Sequence, residues 1–576
     1  AGIAVLDSGN IATTRVVGRV EHLRREESTN PLAGTVGIGH TRWATHGGVL
    51  QKNTHPHWDM NKQFYVVHNG IIENYEEIKE LLSNHGYTFY SDTDTEVIPN
   101  LIAYHYDKTQ DVMQAFQRTV RTLRGAYALV MITAQDPDTI YAAKLSSPLA
   151  IGIGDGEILI GSDALPIVSR TKDVVFVEDG EIAIINRDGY KLQDIETEAE
   201  IDRIPELVEI EEAFTGLDGF PDYMSKEIHE APATVRSAML GRLKLEDNLV
   251  KLGGLELVED QLRYIDRIVI IACGTSYYAG MVGEYLLEEI ADIPVEVQQA
   301  SEFRYRHEPL SRSTAVLVVS QSGETADSIA ALKKLEGTGI LKLGIVNAPG
   351  STLARMTDAG VYCHAGPEKA VASTKAFIAQ VTVFTLIALF ISRNYPHYTS
   401  LLQALDTVPH QLEQILAQKD TIKELAQKYS HHRDFLYIGR RYAYPVALEG
   451  ALKIKEISYI HAEGFAGGEM KHGPLALIDE NFPTFAIALS NDLDEKTISN
   501  MQEIHARTGP IIAVVDDPDS AAAHLADDVI VIPKAMEQVQ PILSAVVTHL
   551  FAYYAAQELG RDIDKPRNLA KSVTVE

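Results

Sequence analysis

The second half of this 576-residue chain repeats itself, and the repeat constrains the fold more than any other feature of the sequence. A strand, tight loop and helix that begin near Ile268 recur near Phe435, and a strand that ends at Ser320 recurs as one that ends at Ser490. The offsets between such landmarks lie between 165 and 170 residues. Strands that alternate with helices are typical of parallel sheets covered by helices. The sequence therefore predicts two copies of a doubly wound α/β module.

The first 190 residues have a different character. Short β-branched runs are separated by turn signals and interrupted by one predicted helix over 74–82, which favours a mostly antiparallel α+β domain with stacked sheets. A chain of this length is also too long for one hydrophobic core. We therefore expect an α+β domain over 1–190, a linker with connecting helices over 191–257, α/β modules over 258–397 and 425–566, and a C-terminal tail over 567–576.

Charge and cysteine content limit the partners and the compartment. With 51 Lys and Arg against 80 Asp and Glu, the formal net charge is −29, and a pI near 5.1 argues against a nucleic-acid or anionic-membrane surface. Two cysteines cannot form a disulfide framework and indicate a reducing compartment, by default the cytoplasm. The longest apolar stretch, 377–391, is shorter than the roughly 20 residues of a membrane span, so we expect a buried helix.

A hydroxyl-rich loop over 320–325 lies between a predicted strand and a predicted helix. Such a turn presents backbone N–H groups at the positive end of a helix, where a phosphate is stabilised. The alternative is that its Ser and Thr residues only cap the helix. The equivalent loop of the second copy, 490–495, is acidic and would repel phosphate, which favours binding in the first copy. Ser276 lies in a second loop at the same sheet edge, and a third polar loop around Ser373 could close over the ligand.

Three charged residues of the second copy share one face of a helix predicted over 445–460. Glu449, Lys453 and Glu456 have i, i+4, i+7 spacing among apolar neighbours. Taken alone, this pattern favours a solvated salt-bridge stripe. The glycine-flanked His472 that follows favours catalysis instead, because a carboxylate base and an imidazole near a phosphate site suit the enolisation of a ketose phosphate.

The C-terminal tail carries Lys571 within an apolar run over 569–575. A disordered, solvated tail is one interpretation. The apolar character favours a tail that folds back over a site, where a desolvated lysine would serve as a Schiff-base amine.

The first domain contains two segments in which polar residues stand next to glycines. Arg42 and Asp94 could bind the carboxylate and amine of an amino acid, and Asn69 with Gly70 could form an oxyanion hole. The alternative for Asn-Gly is an ordinary hairpin turn.

Together these segments resemble the isomerising glutamine:fructose-6-phosphate aminotransferases. The resemblance covers nearly the whole chain and is carried, in the family's order, by HTRWATHG, VHNGIIENY, SDTDTEV, ACGTSYYAG, SQSGETADS, EGALKIKEISYIHAE, KHGPLALID and LAKSVTVE. It implies a class II glutamine amidotransferase domain of the N-terminal-nucleophile type, followed by two sugar isomerase (SIS) domains. It also implies conversion of glutamine and fructose 6-phosphate into glutamate and glucosamine 6-phosphate, by a homodimer and without a metal or redox cofactor.

The resemblance implies roles for individual residues. Glutamine and its oxyanion would be bound by Arg42, His46, Asn69, Gly70 and Asp94, and Trp43 would gate the path of ammonia. The sugar phosphate would be bound by Ser276, Ser320, Gln321, Ser322, Thr325 and Ser373. The catalytic residues would be Glu456 as enolising base with Lys453 nearby, His472 of the neighbouring subunit for ring opening, and Lys571 as the Schiff-base lysine.

The start of the chain departs from the family pattern. The family's glutaminase begins with a cysteine whose thiol attacks the amide, whereas this chain begins Ala1-Gly2-Ile3. Because residues 1–20 match a later family segment, we expect that roughly 30 residues, with the nucleophile, are absent. The chain as given would then lack glutamine hydrolysis, which an assay of glutamate release tests.

Two other functions stay open from the residues alone. One is an amidotransferase-like deglycase or isomerase acting on another sugar phosphate. The other is a non-catalytic SIS sensor, which would not need Lys453, Glu456, His472 and Lys571 together.

Overall fold

A computed structural model of the chain describes residues 1–7, 9–42, 46–208 and 216–574. The chain divides into two compact units. The first comprises Ala1–Glu212 and Val573–Glu576, and the second comprises Ala213–Ser572. Each unit is described separately below.

The first unit is built from antiparallel sheets. Its strands are β1 (Gly2–Asp7), β2 (Asn10–Arg15), β3 (Val36–His40), β4 (His57–Trp58), β5 (Phe64–Ile72), β6 (Gly125–Thr133), β7 (Ile140–Leu145), β8 (Ala150–Ile153), β9 (Ile158–Gly161), β10 (Asp173–Phe176), β11 (Glu181–Asn186), β12 (Gly189–Asp194), β13 (Glu200–Ile201) and β14 (Glu206–Leu207). Its helices are α1 (Val20–Thr29), α2 (Tyr75–Asn84), α3 (Val97–Thr109), α4 (Val112–Thr122) and α5 (Leu165–Val168). The sheet orders are β2-β1-β3, β13-β12-β11-β7-β6-β5-β4 and β14-β10-β8-β9.

Alternation of side chains along β5 explains how these layers stack. Phe64 and Val66 point into a core shared with α3 and α4, whereas Tyr65 and Val67 point into a core shared with β1, β3, β8 and β10. The seven-stranded sheet therefore lies between a helical layer and further sheets, which confirms the predicted α+β fold. Strands β13 and β14, from the segment expected to be a linker, extend two of these sheets.

The second unit contains both copies of the repeat. It begins with α6 (Tyr223–His229), α7 (Ala231–Met239), β15 (Leu243–Lys244), β16 (Leu249–Val250), α8 (Gly253–Glu256) and α9 (Glu259–Leu262). The first copy comprises β17 (Arg267–Ala272), α10 (Gly274–Ala291), β18 (Val295–Gln299), α11 (Ala300–Phe303), β19 (Thr314–Ser320), α12 (Ala326–Lys333), β20 (Leu341–Val346), α13 (Thr352–Met356), β21 (Ala359–Tyr362) and α14 (Lys375–Ile391). After α15 (Tyr398–Ala417) and α16 (Lys419–Tyr429), the second copy comprises β22 (Asp434–Gly439), α17 (Ala443–Ser458), β23 (His461–Ala466), β24 (Thr484–Ile487), α18 (Asp494–His505), β25 (Ile511–Val515), α19 (Ala521–Leu525), β26 (Asp528–Val531) and α20 (Gln540–Glu558).

The two copies have the same sheet topology. Their strand orders are β18-β17-β19-β20-β21 and β23-β22-β24-β25-β26, and all pairs are parallel. Both correspond to the doubly wound order 2-1-3-4-5, which confirms the predicted repeat. In such sheets the strand order reverses between the first and third strands, and ligands bind at the carboxyl ends there. In the first copy this point lies between β17 and β19.

Apolar helices join the copies in one core. Residues of α10, α14, α17 and α20 belong to a single cluster of buried side chains. Helix α14 is buried over almost its whole length, which confirms the expected buried helix. Within the described residues, Glu537–Glu558 is the one helix long and apolar enough to cross a membrane, and all of its apolar window is buried among the protein's own side chains.

Candidate active site

The hydroxyl-rich loop of the first copy folds tightly at the carboxyl end of β19. Ser320 Oγ accepts a hydrogen bond from the Gly323 amide at 3.0 Å and lies 3.3 Å from Thr325 Oγ1. Gly323 has φ +68°, and a Cβ there would lie 2.0 Å from Ser351 Oγ, so the turn requires glycine. Thr325 is the N-cap residue of α12, but its side chain makes no capping hydrogen bond. Helix capping alone therefore does not explain the loop.

The other predicted phosphate ligands differ in their exposure and in the hydrogen bonds that they already make within the protein. Gln321 and Ser322 are partly exposed in the middle of the loop. Ser276 is buried, and its Oγ accepts a hydrogen bond from Gln380 Nε2 at 2.9 Å. Ser373 Oγ donates to a buried carboxylate at 2.6 Å. The most accessible ligands of the predicted set are thus those of the loop itself.

Glu449, Lys453 and Glu456 form a buried ion cluster on α17. The side chains of Glu449 and Lys453 are fully buried, and that of Glu456 is 21 % exposed. Lys453 Nζ lies 2.5 Å from Glu456 Oε2 and 3.5 Å from Glu449 Oε1. His549 of α20 approaches Glu449, with Nε2 3.3 Å from Oε1. A solvated salt-bridge stripe would face water, so that interpretation is wrong.

The first copy contributes Thr275 to this cluster. Lys453 Nζ donates to Thr275 Oγ1 at 3.0 Å, and Thr275 lies in the first turn of α10. Burial by itself would lower the pKa of Lys453, but the carboxylates of Glu449, Glu456 and Glu368 outweigh burial and raise it. The lysine is therefore an ammonium at neutral pH. The influence of Glu368 also shows that the loop before α14 lies within electrostatic reach of α17.

Lys571 forms an ion pair with this Glu368. Lys571 Nζ donates to Glu368 Oε2 at 2.5 Å, and the lysine side chain is 21 % exposed whereas the glutamate is fully buried. Glu368 also accepts hydrogen bonds from Ser373 Oγ and from the Thr374 amide, at 2.6 and 2.8 Å. Burial would raise the pKa of Glu368, but Lys571 and these hydrogen bonds lower it to about 2. The tail is therefore folded onto the protein at Lys571, not solvated.

His472 stays apart from these groups within one chain. It ends the short 3-10 helix Gly467–His472 and is exposed. In the described part of the chain, no hydrogen bond or ion pair joins it to Glu456 or Lys571. The structure thus pairs Lys453 with Glu456 and Lys571 with Glu368, and the predicted ring-opening imidazole belongs to neither pair.

In the equivalent loop of the second copy, hydroxyl and amide groups are already hydrogen-bonded to carboxylates of the same copy. Ser490 Oγ donates to Asp516 Oδ1 at 2.6 Å, and the Asn491 amide donates to Asp494 Oδ1 at 2.7 Å. Burial raises the pKa of Asp494, and the charge of Asp516 adds to this effect. Carboxylates in place of free hydroxyls make this loop unsuitable for a phosphate.

In the first unit, Arg42 and Asp94 interact electrostatically. The Arg42 guanidinium donates to the carbonyl oxygens of His46 and Gly48, the latter at 3.2 Å. Asp94 is buried, and its Oδ2 accepts a backbone amide of β5 at 2.9 Å. Burial lowers the pKa of Arg42, and the charge of Asp94 opposes this shift. His46 Nδ1 lies 4.0 Å from Asp94 Oδ1. Trp43, the predicted ammonia gate, lies outside the described residues.

Asn69 and Gly70 lie inside β5, so the hairpin-turn alternative is wrong. Gly70 pairs with Tyr127 of β6, and with φ +119° a Cβ would lie 2.0 Å from the Ala126 carbonyl oxygen. Asn69 Oδ1 lies 2.8 Å from His40 Nε2. Burial lowers the pKa of His40 to about 4, so the neutral ring must donate through Nε2. The amide NH2 of Asn69 is then left to donate elsewhere.

Four residues in these clusters were not among the predicted ligands: Thr275, Glu368, His549 and His40. Thr275 and His40 lie within the motifs ACGTSYYAG and HTRWATHG, so the motifs could have indicated them. Glu368 and His549 carry no signal in the sequence, because their partners are 203 and 100 residues away.

Comparison with known proteins agrees with this geometry. Residues 261–390 and 428–559 match the family described as SIS domain, and residues 40–169 match the family described as glutamine amidotransferase domain. The whole chain is 46 % identical to "Glutamine--fructose-6-phosphate aminotransferase [isomerizing]" of Chlorobaculum tepidum, and it covers 95 % of that protein. It is 44 % identical to the protein of the same name from Bacteroides thetaiotaomicron, again over 100 % of the chain and 95 % of the relative.

A solved structure is similar to the second unit. It is the C-terminal domain of glucosamine-fructose-6-phosphate aminotransferase from Francisella tularensis, with a TM-score of 0.58 and 35 % identity, and the match covers 61 % of this chain and 100 % of that one. The likeness of fold, the two domain families and the full-length relatives lead to one conclusion. The chain belongs to the family of isomerising glutamine–fructose-6-phosphate aminotransferases.

Proposed function

We propose that this protein transfers the amide nitrogen of glutamine to fructose 6-phosphate and isomerises the product to glucosamine 6-phosphate, with release of glutamate. The observation that carries the proposal is the presence in one unit of two ion pairs, Lys571 with Glu368 and Lys453 with Glu456, in which the charge of Glu368 acts on Lys453. The first offers an amine that can form an imine with a ketone, and the second offers a carboxylate that can move a proton. Both belong to the unit that carries the hydroxyl-rich loop.

The sugar phosphate would enter at the switch point of the first sheet. In the proposal its phosphate is held by the loop hydroxyls and amides at the amino end of α12, where the helix dipole favours an anion. A local site of this kind is needed because the chain carries a net charge of −29. The proposed ligands are Ser276, Ser320, Gln321, Ser322, Thr325 and Ser373.

The chemistry then proceeds on the open-chain ketose. Lys571 Nζ, as a free amine, attacks C2 and water leaves, which forms an imine. Ammonia released from glutamine displaces the lysine and gives the imine of fructose 6-phosphate. Glu456 removes a proton from C1 while the imine nitrogen takes up a proton, which gives an enolamine. Glu456 then returns its proton to C2 as the C1 hydroxyl loses a proton and becomes the aldehyde, and the nitrogen stays on C2. Lys453, kept positive by its neighbours, holds the Glu456 carboxylate in place.

Ring opening requires an acid or base, and among the described residues of one chain His472 makes no hydrogen bond or ion pair with Glu456 or Lys571. We assign it to His472 of a second copy, which makes the active protein a homodimer. Mixing a His472→Ala variant with a Lys571→Ala variant tests this assignment. Each mixed dimer would contain one intact site, so the mixture should recover about a quarter of wild-type activity. Recovery of none would contradict a shared site.

Glutamine would bind in the first unit. Arg42 and Asp94 suit the carboxylate and amine of an amino acid, His46 lies beside them, and Asn69 with Gly70 would donate to the oxyanion. We retain Trp43 as the proposed gate for ammonia. Calorimetric titration of glutamine should show binding to the wild type and at least tenfold weaker binding to Asp94→Asn, because a charge-assisted contact is lost. Equal affinities would contradict the assignment.

Product analysis is the direct test of the sugar reaction. Fructose 6-phosphate and an ammonium salt should yield glucosamine 6-phosphate, detected by mass spectrometry. The Lys571→Ala variant should lose this activity, and Lys565→Ala, which removes an exposed lysine of the same tail, should retain it. A Lys571→Ala variant as active as the wild type would refute the Schiff-base assignment. We further propose a cytoplasmic enzyme with no nucleic-acid or membrane partner, in which Cys273 and Cys363 stay reduced.

A further inference from the structure

We propose that Glu227, on helix α6, is a positioning residue that fixes the loop carrying Glu368 and thereby holds in place the carboxylate that pairs with Lys571. This inference rests on the proposed function, because it presumes that Lys571 is the amine that attacks the sugar. Glu227 lies outside both ranges that match the SIS family, so the domain resemblance assigns it no role.

The Glu227 carboxyl group is bound to the backbone next to Glu368. It is 2 % exposed, and its Oε1 accepts hydrogen bonds from the amides of Lys369 and Ala370, at 2.6 and 3.2 Å. These two residues directly follow Glu368 in the chain. Its Oε2 is also buried and has no hydrogen-bond partner in the described part of the chain. One oxygen therefore anchors the loop, and the other is buried without a hydrogen-bond partner among the described residues.

Helix α6 is attached to the site at two further points. Glu230 Oε2 accepts from Lys375 Nζ, the first residue of α14, at 2.6 Å. The Asp564 carboxylate accepts the first two backbone amides of α6, each at 2.9 Å, and the Asp564 carbonyl accepts the Val371 amide at 3.0 Å. One short helix thus holds both the loop before α14 and the segment that leads to Lys571.

The charges around Glu227 decide how it titrates. The charges of Glu368 on the loop and of Lys571 on the tail act on it, Lys226 lies on its own helix, Glu230 directly follows that helix, and Lys375 begins α14. Burial and the charge of Glu368 raise the pKa of Glu227 to about 8, against the opposing effect of Lys571. Glu227 is therefore a neutral acid at pH 7 and a carboxylate at higher pH.

The position of the loop affects the amine that must attack. Lys571 Nζ lies 2.5 Å from Glu368 Oε2, and the two amides that Glu227 accepts belong to the residues directly after Glu368. The attack on C2 needs an amine placed within reach of that carbon, and its lone pair forms the new C–N bond as water departs. Releasing the loop from Glu227 should therefore slow imine formation. Glutamine at this position resembles the neutral acid and keeps the oxygen that the amides need.

Reductive trapping measures this step without glutamine or ammonia. The protein is incubated with fructose 6-phosphate and cyanoborohydride, which delivers hydride to the imine carbon, and the adduct on Lys571 is measured by mass spectrometry over a time course. In Glu227→Gln, which keeps an oxygen acceptor for the two amides, trapping should proceed at close to the wild-type rate. In Glu227→Ala, which loses both anchors, trapping should slow about tenfold. Glu308→Gln, a buried carboxyl paired with Arg267 at 2.8 Å, is the matched control and should behave like the wild type.

The outcomes separate this inference from the function on which it rests. An adduct in the wild type that forms equally fast in Glu227→Ala would overturn the role of Glu227 and leave the Schiff-base assignment intact. No adduct on Lys571 in the wild type would overturn both. Circular dichroism of each variant tests whether the fold is retained. Slow trapping in a folded Glu227→Ala variant, restored in Glu227→Gln, is a result that a merely structural residue would not produce.

Discussion

Replacing Lys453 by methionine should destabilise the second unit by about 3–5 kcal/mol near pH 8. Methionine keeps the length and apolar character of the side chain but removes an ammonium that lies 3.5 Å from Glu449 and 2.5 Å from Glu456. Glu449 is fully buried, so its carboxylate would lose its counter-charge without gaining contact with bulk solvent. Breaking a buried pair by removing one partner leaves such an uncompensated charge.

An upper limit on this cost follows from protonation. The variant can protonate a buried glutamate instead of keeping it charged. This protonation costs about 1.36 kcal/mol for each pH unit above the ordinary glutamate pKa of about 4.3. The cost of the substitution is therefore capped near 5 kcal/mol at about pH 8 and near 1 kcal/mol at about pH 5. In the wild type the pKa of Lys453 is raised, so its contribution is complete below the ordinary lysine pKa and is lost only at more alkaline pH. The ion pair of the wild type is therefore intact at both about pH 5 and about pH 8. Any change in the cost of the substitution between these pH values arises from protonation of a glutamate in the variant.

Urea unfolding at the two pH values measures the effect. Far-UV circular dichroism reports mainly on the second unit, which contains most of the helices, α6 to α20. Both tryptophans of the chain, at positions 43 and 58, precede the second unit in the sequence, so tryptophan fluorescence should be unchanged and serves as an internal control. Lys428→Met is the matched variant, since Lys428 is 56 % exposed and pairs with Asp528 at the surface. This substitution should lower the free energy of unfolding by less than about 1 kcal/mol.

Two results would refute the reasoning. A loss below about 1 kcal/mol near pH 8 would mean that Glu449 is solvated or otherwise compensated. An equal loss at both pH values would mean that lost packing, and not an unpaired carboxylate, destabilises the variant.

Two glycine substitutions give further predictions. Gly70→Ala should destabilise the first unit by about 1–3 kcal/mol or more, because its φ is +119° and the new Cβ would lie 2.0 Å from the Ala126 carbonyl oxygen. Thermal unfolding followed by tryptophan fluorescence checks this against Gly48→Ala, where the nearest atom is 3.9 Å away, and equal Tm values would contradict it. Gly323→Ala should raise KM for fructose 6-phosphate about tenfold or more, since the loop must move away from Ser351. Steady-state kinetics with an unchanged KM would show that the loop does not hold the substrate.

The sequence by itself determined the fold class and most of the element order. A repeat at 165–170 residues predicts two equal modules because each strand, loop and helix is a local pattern, and the structure has the same 2-1-3-4-5 order in both. The apolar run over 377–391 predicts a buried helix because nothing in it can face water, and α14 is that helix. The hydroxyls of the 320–325 loop were likewise identified from their position between a strand and a helix.

The tertiary structure alone decided which charged groups meet. Helical spacing places Glu449, Lys453 and Glu456 on one face, but it does not distinguish a solvated stripe from a buried cluster. That distinction depends on Thr275, which lies 178 residues away from Lys453, and on His549 of α20. The partner of Lys571 is 203 residues distant, and Glu227 acts through the backbone of a loop that begins 141 residues after it. Burial and charge pairing arise from contacts between distant segments, and for that reason a local pattern can name the ionisable groups without stating which of them face each other.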